Sequence, residues 1–243
     1  MPLPDHFHPP LSATRHGESF HASWATGIMA SLNRGVLPPG YFAEAQVHIG
    51  GRVEIDVASF EDQGEKSAAE PDESSGGVAV ARWAPPAAAL VIPAVFPDEI
   101  EVQVVSTATG ATLVAAIELI SPGNKDRPEP RRAFAARCAG YLQMGIGLAI
   151  VNIVAGRHSN LHDELMHLLG QPETLRSGEE SALDSVAYRP VRRDHAGDLI
   201  EIWPVSLNVG QALPIIPLSL RGASIVPLEL EASYAEARQR SRL

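Results

Sequence analysis

The chain opens with a helical pattern. Phe20, Trp24, Ile28 and Leu32 recur every four residues across 18–34, and Gly35 then stops the repeat. Leu37-Pro-Pro-Gly40 forces a turn into an alternating stretch, Tyr41–Ile49. Gly50-Gly51 signals a hairpin, and Arg52–Phe60 alternates as its return strand. Residues 61–77 are acidic, rich in Ser and Gly, and nearly devoid of large apolar side chains. They read as a flexible, solvated loop inserted in a single domain spanning 1–243. Order returns by Glu99, with Glu101–Ser106 and Ala111–Ile120 flanking Thr-Ala-Thr-Gly as a second hairpin. A helix from about Arg131 to Met144 carries Phe134, Cys138 and Tyr141 on one stripe. Gly147–Val154 is a continuous apolar run, as in a strand covered on both faces. A helix over about Leu161–Leu169, a β region over 186–230 and an exposed charged helix complete the chain.

That order predicts an α/β protein: a mixed central sheet flanked by helices, with a β-rich C-terminal extension. Strand phase sharpens it, because alternate side chains share a face. Glu44, Gln46 and His48 fall together in the first strand, Glu54 and Asp56 in the second, and Glu118 opposes Ile117 and Leu119 in a third. Glu118 sits among residues that should be buried, where a carboxylate is costly unless a metal ion or a cation pairs with it. A solvated edge position or a structural Arg partner explains Glu118 equally well.

Composition narrows the classes. A hydrophobic content of 45% supports a substantial core, and a single cysteine, Cys138, excludes a disulfide framework. The first ten residues have neither a basic nor an apolar leader segment, and the longest apolar runs are too short to span a bilayer. A cytoplasmic protein with no membrane partner is expected. The net charge of −10 argues against a surface that grips nucleic acid everywhere. Lys125, Arg127, Arg131, Arg132 and Arg137 nevertheless cluster, so a local basic face for nucleic acid is expected there, and a homo-oligomer is compatible with the chain.

Three carboxylates converging from neighbouring strands suit a hard cation such as Mg²⁺ or Mn²⁺, which takes oxygen ligands and keeps waters. Glu44, Asp56 and Glu118 would be the ligands, and Lys125 or Arg137 would steady a phosphate. His158, His162 and His167 do not share one helical face and lack a His-Glu-x-x-His pattern, so they are a poor zinc site. His48, beside Glu44, is the histidine of interest. Trp24, Trp83 and Trp203 read as core or interface anchors rather than stacking platforms, with no basic residues interleaved.

Gly51-Arg-Val-Glu-Ile-Asp56-Val, Ile117-Glu118-Leu-Ile-Ser-Pro, and Arg137, Tyr141 and Gly145-Ile146 together resemble the Uma-type restriction endonucleases of the PD-(D/E)XK nuclease superfamily. Phe20-His21, Leu37-Pro-Pro-Gly-Tyr41, Glu118-Leu-Ile-Ser-Pro-Gly-Asn-Lys125 and Pro214-Ile-Ile-Pro-Leu-Ser-Leu resemble more closely a related bacterial family of unknown function. The resemblance implies a restriction-endonuclease-like core and Mg²⁺-dependent phosphodiester hydrolysis. Asp56 and Glu118 stand at the acids of the two motifs, and Glu44 matches an acid on the preceding strand. Three departures bear on activity. Ile120 replaces the usual Lys two residues after Glu118, Ile55 replaces a Pro, and Asn152 stands where relatives often have Asp. A lost Lys would have to be replaced by Arg137 or by the loop residue Lys125. The rival expectation is a catalytically inactive member of the fold that serves in binding or assembly.

Overall fold

The computed structural model describes residues 3–14, 17–45, 57–61, 84, 86–93, 112–156, 159–172, 183–193, 197–221 and 224–243. The order of elements is α1 (Leu11–Thr14), α2 (Gly17–Ser31), β1 (Tyr41–Glu44), β2 (Val57–Glu61), β3 (Leu90–Pro93) and β4 (Thr112–Leu119). Then come α3 (Pro122–Asp126), α4 (Pro128–Gln143), β5 (Gly147–Asn152), α5 (Leu161–Leu168), β6 (Asp184–Arg193), β7 (Gly197–Ser206), β8 (Ile215–Ser219), β9 (Ile225–Glu229) and α6 (Leu230–Arg240). Seven strands form one mixed sheet in the order β1-β2-β4-β5-β6-β7-β3, and β8 and β9 form a separate C-terminal hairpin. Among the described strands of this sheet only β4 and β5 run parallel, joined by α3 and α4; the other neighbouring pairs are antiparallel.

Two cores sandwich the sheet. On one face α2, α6 and the β8–β9 hairpin enclose Trp24, Ile28, Ile117, Val151, Ile216 and Tyr234. On the other, α4 and α5 enclose Phe134, Cys138, Leu142, Leu148, Ile150, Leu165 and Tyr188. All six residues of β5 are buried, as an apolar strand at the centre of two covered faces requires. Two glycines permit close approach. A Cβ on Gly147 would lie 1.9 Å from the Ser219 carbonyl oxygen, so β8 can cross β5 only where no side chain intervenes. A Cβ on Gly27 would lie 2.9 Å from the Ser233 carbonyl, which lets α2 pack tightly on α6.

The first helix ends as expected: a single π-type turn, Leu32–Val36, follows α2, with Gly35 at φ 132°. Glu61 belongs to β2, so the inserted loop cannot begin there; 62–77 lie outside the described residues. So do Arg52–Asp56, His48, Trp83, His158 and the expected strand Glu101–Ser106. The mixed central sheet flanked by helices is as expected, and the β8–β9 hairpin forms the β-rich C-terminal extension beyond β6 and β7 of the central sheet. Two corrections are physical. Leu90–Pro93, inside an apolar run without strand periodicity, forms the edge strand β3 against β7. α6 is not simply exposed, because its Leu230, Ser233, Tyr234 and Ala237 are buried. Among the described residues no helix is long and apolar enough to cross a membrane.

Candidate functional site

The carboxyl ends of the parallel strands β4 and β5 are where ligands collect in α/β sheets, and the polar side chains of this protein gather there. Glu118, next to last in β4, points with Ala116 toward α4 and is 2% exposed. About two and a half turns into α4, Arg137 lies directly above it. Its Nε donates to Glu118 Oε1 at 3.2 Å and its Nη2 to Oε2 at 3.1 Å. This two-pronged, charge-assisted geometry is the strongest that a carboxylate and a guanidinium can form. Burial, the largest single influence on Arg137, lowers its pKa, but the Glu118 carboxylate together with Cys138 and Tyr141 raises it above its ordinary value. The guanidinium also lies 5.1 Å from the Phe134 ring centroid. Beside the pair, burial pushes the Cys138 thiol far above its usual range, and the side chain is packed into the core.

A second buried group begins after β4. Ser121 and Asn124 cap α3 reciprocally, and Pro122 fits its first turn. The expected loop around Lys125 is therefore helical, and it turns Lys125 inward to 2% exposure. Lys125 Nζ donates to Asn152 Oδ1 and to the Val154 carbonyl, both at 3.4 Å. Asn152 Nδ2 donates to Asp184 Oδ1 at 2.8 Å across the β5–β6 register, and Asn160 Nδ2 reaches Oδ2 at 3.3 Å. Asn152 carries no charge, and Asp184 on the next strand places a carboxyl group beside it. Burial lowers Lys125 to a pKa of about 8 against the opposing pull of Asp184. Burial likewise raises Asp184, although Asn152 and Asn160 donate to it.

Above this group, α4 and α5 border an open cleft of about 490 Å³, lined by Arg131, Arg132, Ser159, Asn160, Asp163 and His167 among others. Arg131 Nη1 forms part of its floor, donating to the Lys125 carbonyl at 3.3 Å and to Ser159 Oγ at 3.2 Å. Asn160 caps α5, accepting from the His162 and Asp163 backbone N–H groups at 2.8 and 3.3 Å.

The expected site residues are thus only partly gathered. Glu118 and Arg137 meet. Lys125 faces a different buried group. Glu44 is exposed on β1, in the cross-sheet row of Ala58 and Ala116, so it shares the face of Glu118 at a distance of two strands, about 10 Å. Asp56 lies outside the described residues. Among those described, no three His, Cys, Asp or Glu side chains come together to hold a metal, and both Glu118 oxygens are engaged by Arg137. The described residues therefore do not fit an Mg²⁺ site. The expected basic face is also reshaped: Lys125 is buried and Arg137 is 14% exposed, which leaves Arg127, Arg131 and Arg132. The histidines separate as well, with His162 Nδ1 bonded to Tyr188 Oη at 2.6 Å and His167 lining the cleft.

Asn160 and Asp184 were not singled out from the sequence. Asn160 before an apolar helical repeat, with Asp163 and Glu164 in the first turn, is an N-cap signal that would have found the first. Asp184 gives no such sign, since its partner lies 32 residues away. No family model, curated protein or solved structure matches this chain.

Proposed function

We propose that this protein is a catalytically silent binding module on a nuclease-like α/β scaffold, not a phosphodiesterase. One observation carries the reading: Arg137 engages both oxygens of the buried Glu118, the acid that the resemblance assigns to the second motif. A carboxylate so neutralised gains little by exchanging a fitted guanidinium for a hydrated divalent ion, which is slow to shed its waters. The cation that nucleases carry two residues later is here Ile120, 1% exposed, and Lys125 is tied to Asn152 and Val154. The partner docks at the α4–α5 cleft, with Arg131 and Arg132 placed for an anionic group such as the phosphate of a nucleic-acid strand.

Purified protein should cleave neither DNA nor RNA with Mg²⁺ or Mn²⁺, and neither ion should raise its Tm. Metal-dependent cleavage that disappears in Glu118→Gln would overturn the silent reading. A labelled single-stranded oligonucleotide tests the partner separately by anisotropy. Binding should weaken with salt and in Arg131→Ala/Arg132→Ala. Unchanged binding in that double variant rejects the cleft but leaves the reading of Glu118 intact.

A further inference from the structure

On the opposite face of the sheet from the cleft, residues 3–8 run as a strap over the α2–α6 layer. Leu3 anchors one end. It is 1% exposed, its N–H donates to the Gln211 carbonyl at 2.8 Å, and its carbonyl accepts from Gly210 N–H at 2.8 Å. His6 is the middle anchor, at 5% exposure, stacked on Phe20 with ring centroids 4.2 Å apart. Its Nε2 is hydrogen-bonded to the Tyr234 hydroxyl. Phe7 packs against both cores, and Asp5 accepts from the Phe7 and His8 N–H groups at 3.0 and 3.2 Å. Beyond it, the His8 ring lies so close to Gly156 that a Cβ there would be 2.9 Å away.

We propose that this strap is an acid-sensitive clasp: protonation of His6 and His21 detaches residues 3–8 and uncovers Phe20 and Tyr234. The geometry gives both rings a reason to stay neutral. His21 neighbours Phe20 on α2, and its Nε2 is enclosed without a hydrogen-bond partner. The charges facing His6 come from three elements: Asp5 on the strap, Arg238 on α6 and His21 on α2. Tyr234 adds no charge to offset them, because burial raises its hydroxyl to a pKa of about 13. Among the described residues Asp5 favours a charged His6, and it is already engaged by His8 Nδ1 at 2.7 Å.

Burial lowers His6 from 6.5 to about 4, with Arg238 adding to the shift and Asp5 opposing it. Burial also lowers His21 to about 4, with His6 adding to it. The sign follows from linkage. Rings whose attached-state pKa is depressed take up protons more readily when the strap is free. The clasp is at full strength above pH 6.5 and is lost as pH falls toward 4. Within that window each histidine weakens attachment by up to about tenfold per pH unit.

Amide exchange of the whole protein by NMR, expressed as protection factors, tests this between pH 7.5 and 5.0. Leu3 and Gly210 should lose protection by about tenfold or more per unit below 6.5. The Ile120 amide, bonded to the Val151 carbonyl in the central sheet, should keep its protection. In His6→Gln/His21→Gln the Leu3 and Gly210 protection should be independent of pH. Constant protection in the wild type, loss only in step with Ile120, or an unchanged slope in the double variant would each overturn the proposal. Should the double variant fail to fold, the wild-type imidazole resonances serve instead: titration of both rings near 6.5 while Leu3 stays protected is equally fatal.

Discussion

The two faces of one sheet solve the same burial problem by different chemistry. Beneath α2 and α6 the core is aromatic: Phe20 and Trp24 each meet Tyr234 edge to face, and buried polar contacts include the neutral Trp24 Nε1 to Ser233 Oγ bond at 3.1 Å. Beneath α4 and α5 full charges are buried, as the Glu118–Arg137 pair and the Lys125–Asn152–Asp184 chain. The aromatic face gains stability from area removed from water. The charged face must recover a desolvation cost through geometry and gains mainly a fixed arrangement of its groups. That difference teaches where stability and where specificity reside in this fold.

Breaking the charged face should have the largest effect. Arg137→Ala takes the guanidinium away from the buried Glu118 carboxylate and should cost about 3–5 kcal/mol in denaturant unfolding. The double variant Glu118→Leu/Arg137→Met should recover most of that loss. An equally unstable double variant would show that the pair contributes more than mutual neutralisation. On the aromatic face, Trp24→Ala removes a fully buried ring and should likewise cost about 3–5 kcal/mol. A loss well below 1 kcal/mol would mean that this face is far less tightly packed than its geometry indicates.

Gly147→Ala probes the junction between the β8–β9 hairpin and β5. Its new methyl meets backbone rather than a yielding side chain, so a cost of at least about 1–3 kcal/mol is expected, read as a fall in Tm. The smallest effect belongs to Lys125→Met. It withdraws the cation that lowers the Asp184 pKa, so that carboxyl should titrate at higher pH in carbon-detected NMR. With the depressed Lys125 removed, the variant should also lose the rise in stability that this group gives the wild type between about pH 8 and 10.5. There the unfolded chain holds a proton that the folded Lys125 has released. A wild-type rise retained in the variant would assign it to another group.

Periodicity made the helices legible. The four-residue spacing of Phe20, Trp24, Ile28 and Leu32 gives α2, and unbroken apolar character marks β5 as a strand covered on both sides. The cost of burying a carboxylate singled out Glu118 before any contact was visible. The same argument did not choose between a metal and an arginine, because both would neutralise it. The sequence points to a loop around Lys125 because Pro122 and Gly123 mask a one-turn helix whose capping depends on reciprocal side-chain bonds. β3 escaped because a strand of four residues at the sheet edge owes its form to β7, not to its own alternation.

The chain's own pattern sets the helices α2, α4 and α5, the strands β4 and β5, the α/β class, and an acid near the end of β4 that needs a cation if it is buried. Local spacing and transfer free energy are properties of the chain, and they act before any partner is chosen. Only the tertiary structure decided that Arg137 takes both oxygens of Glu118, that Asp184 supplies the charge Asn152 lacks, and that His6 lies on Phe20 and Tyr234. Those pairings join residues from 14 to 228 positions apart. Contacts at such separations are set by strand order and crossover, which no local pattern encodes.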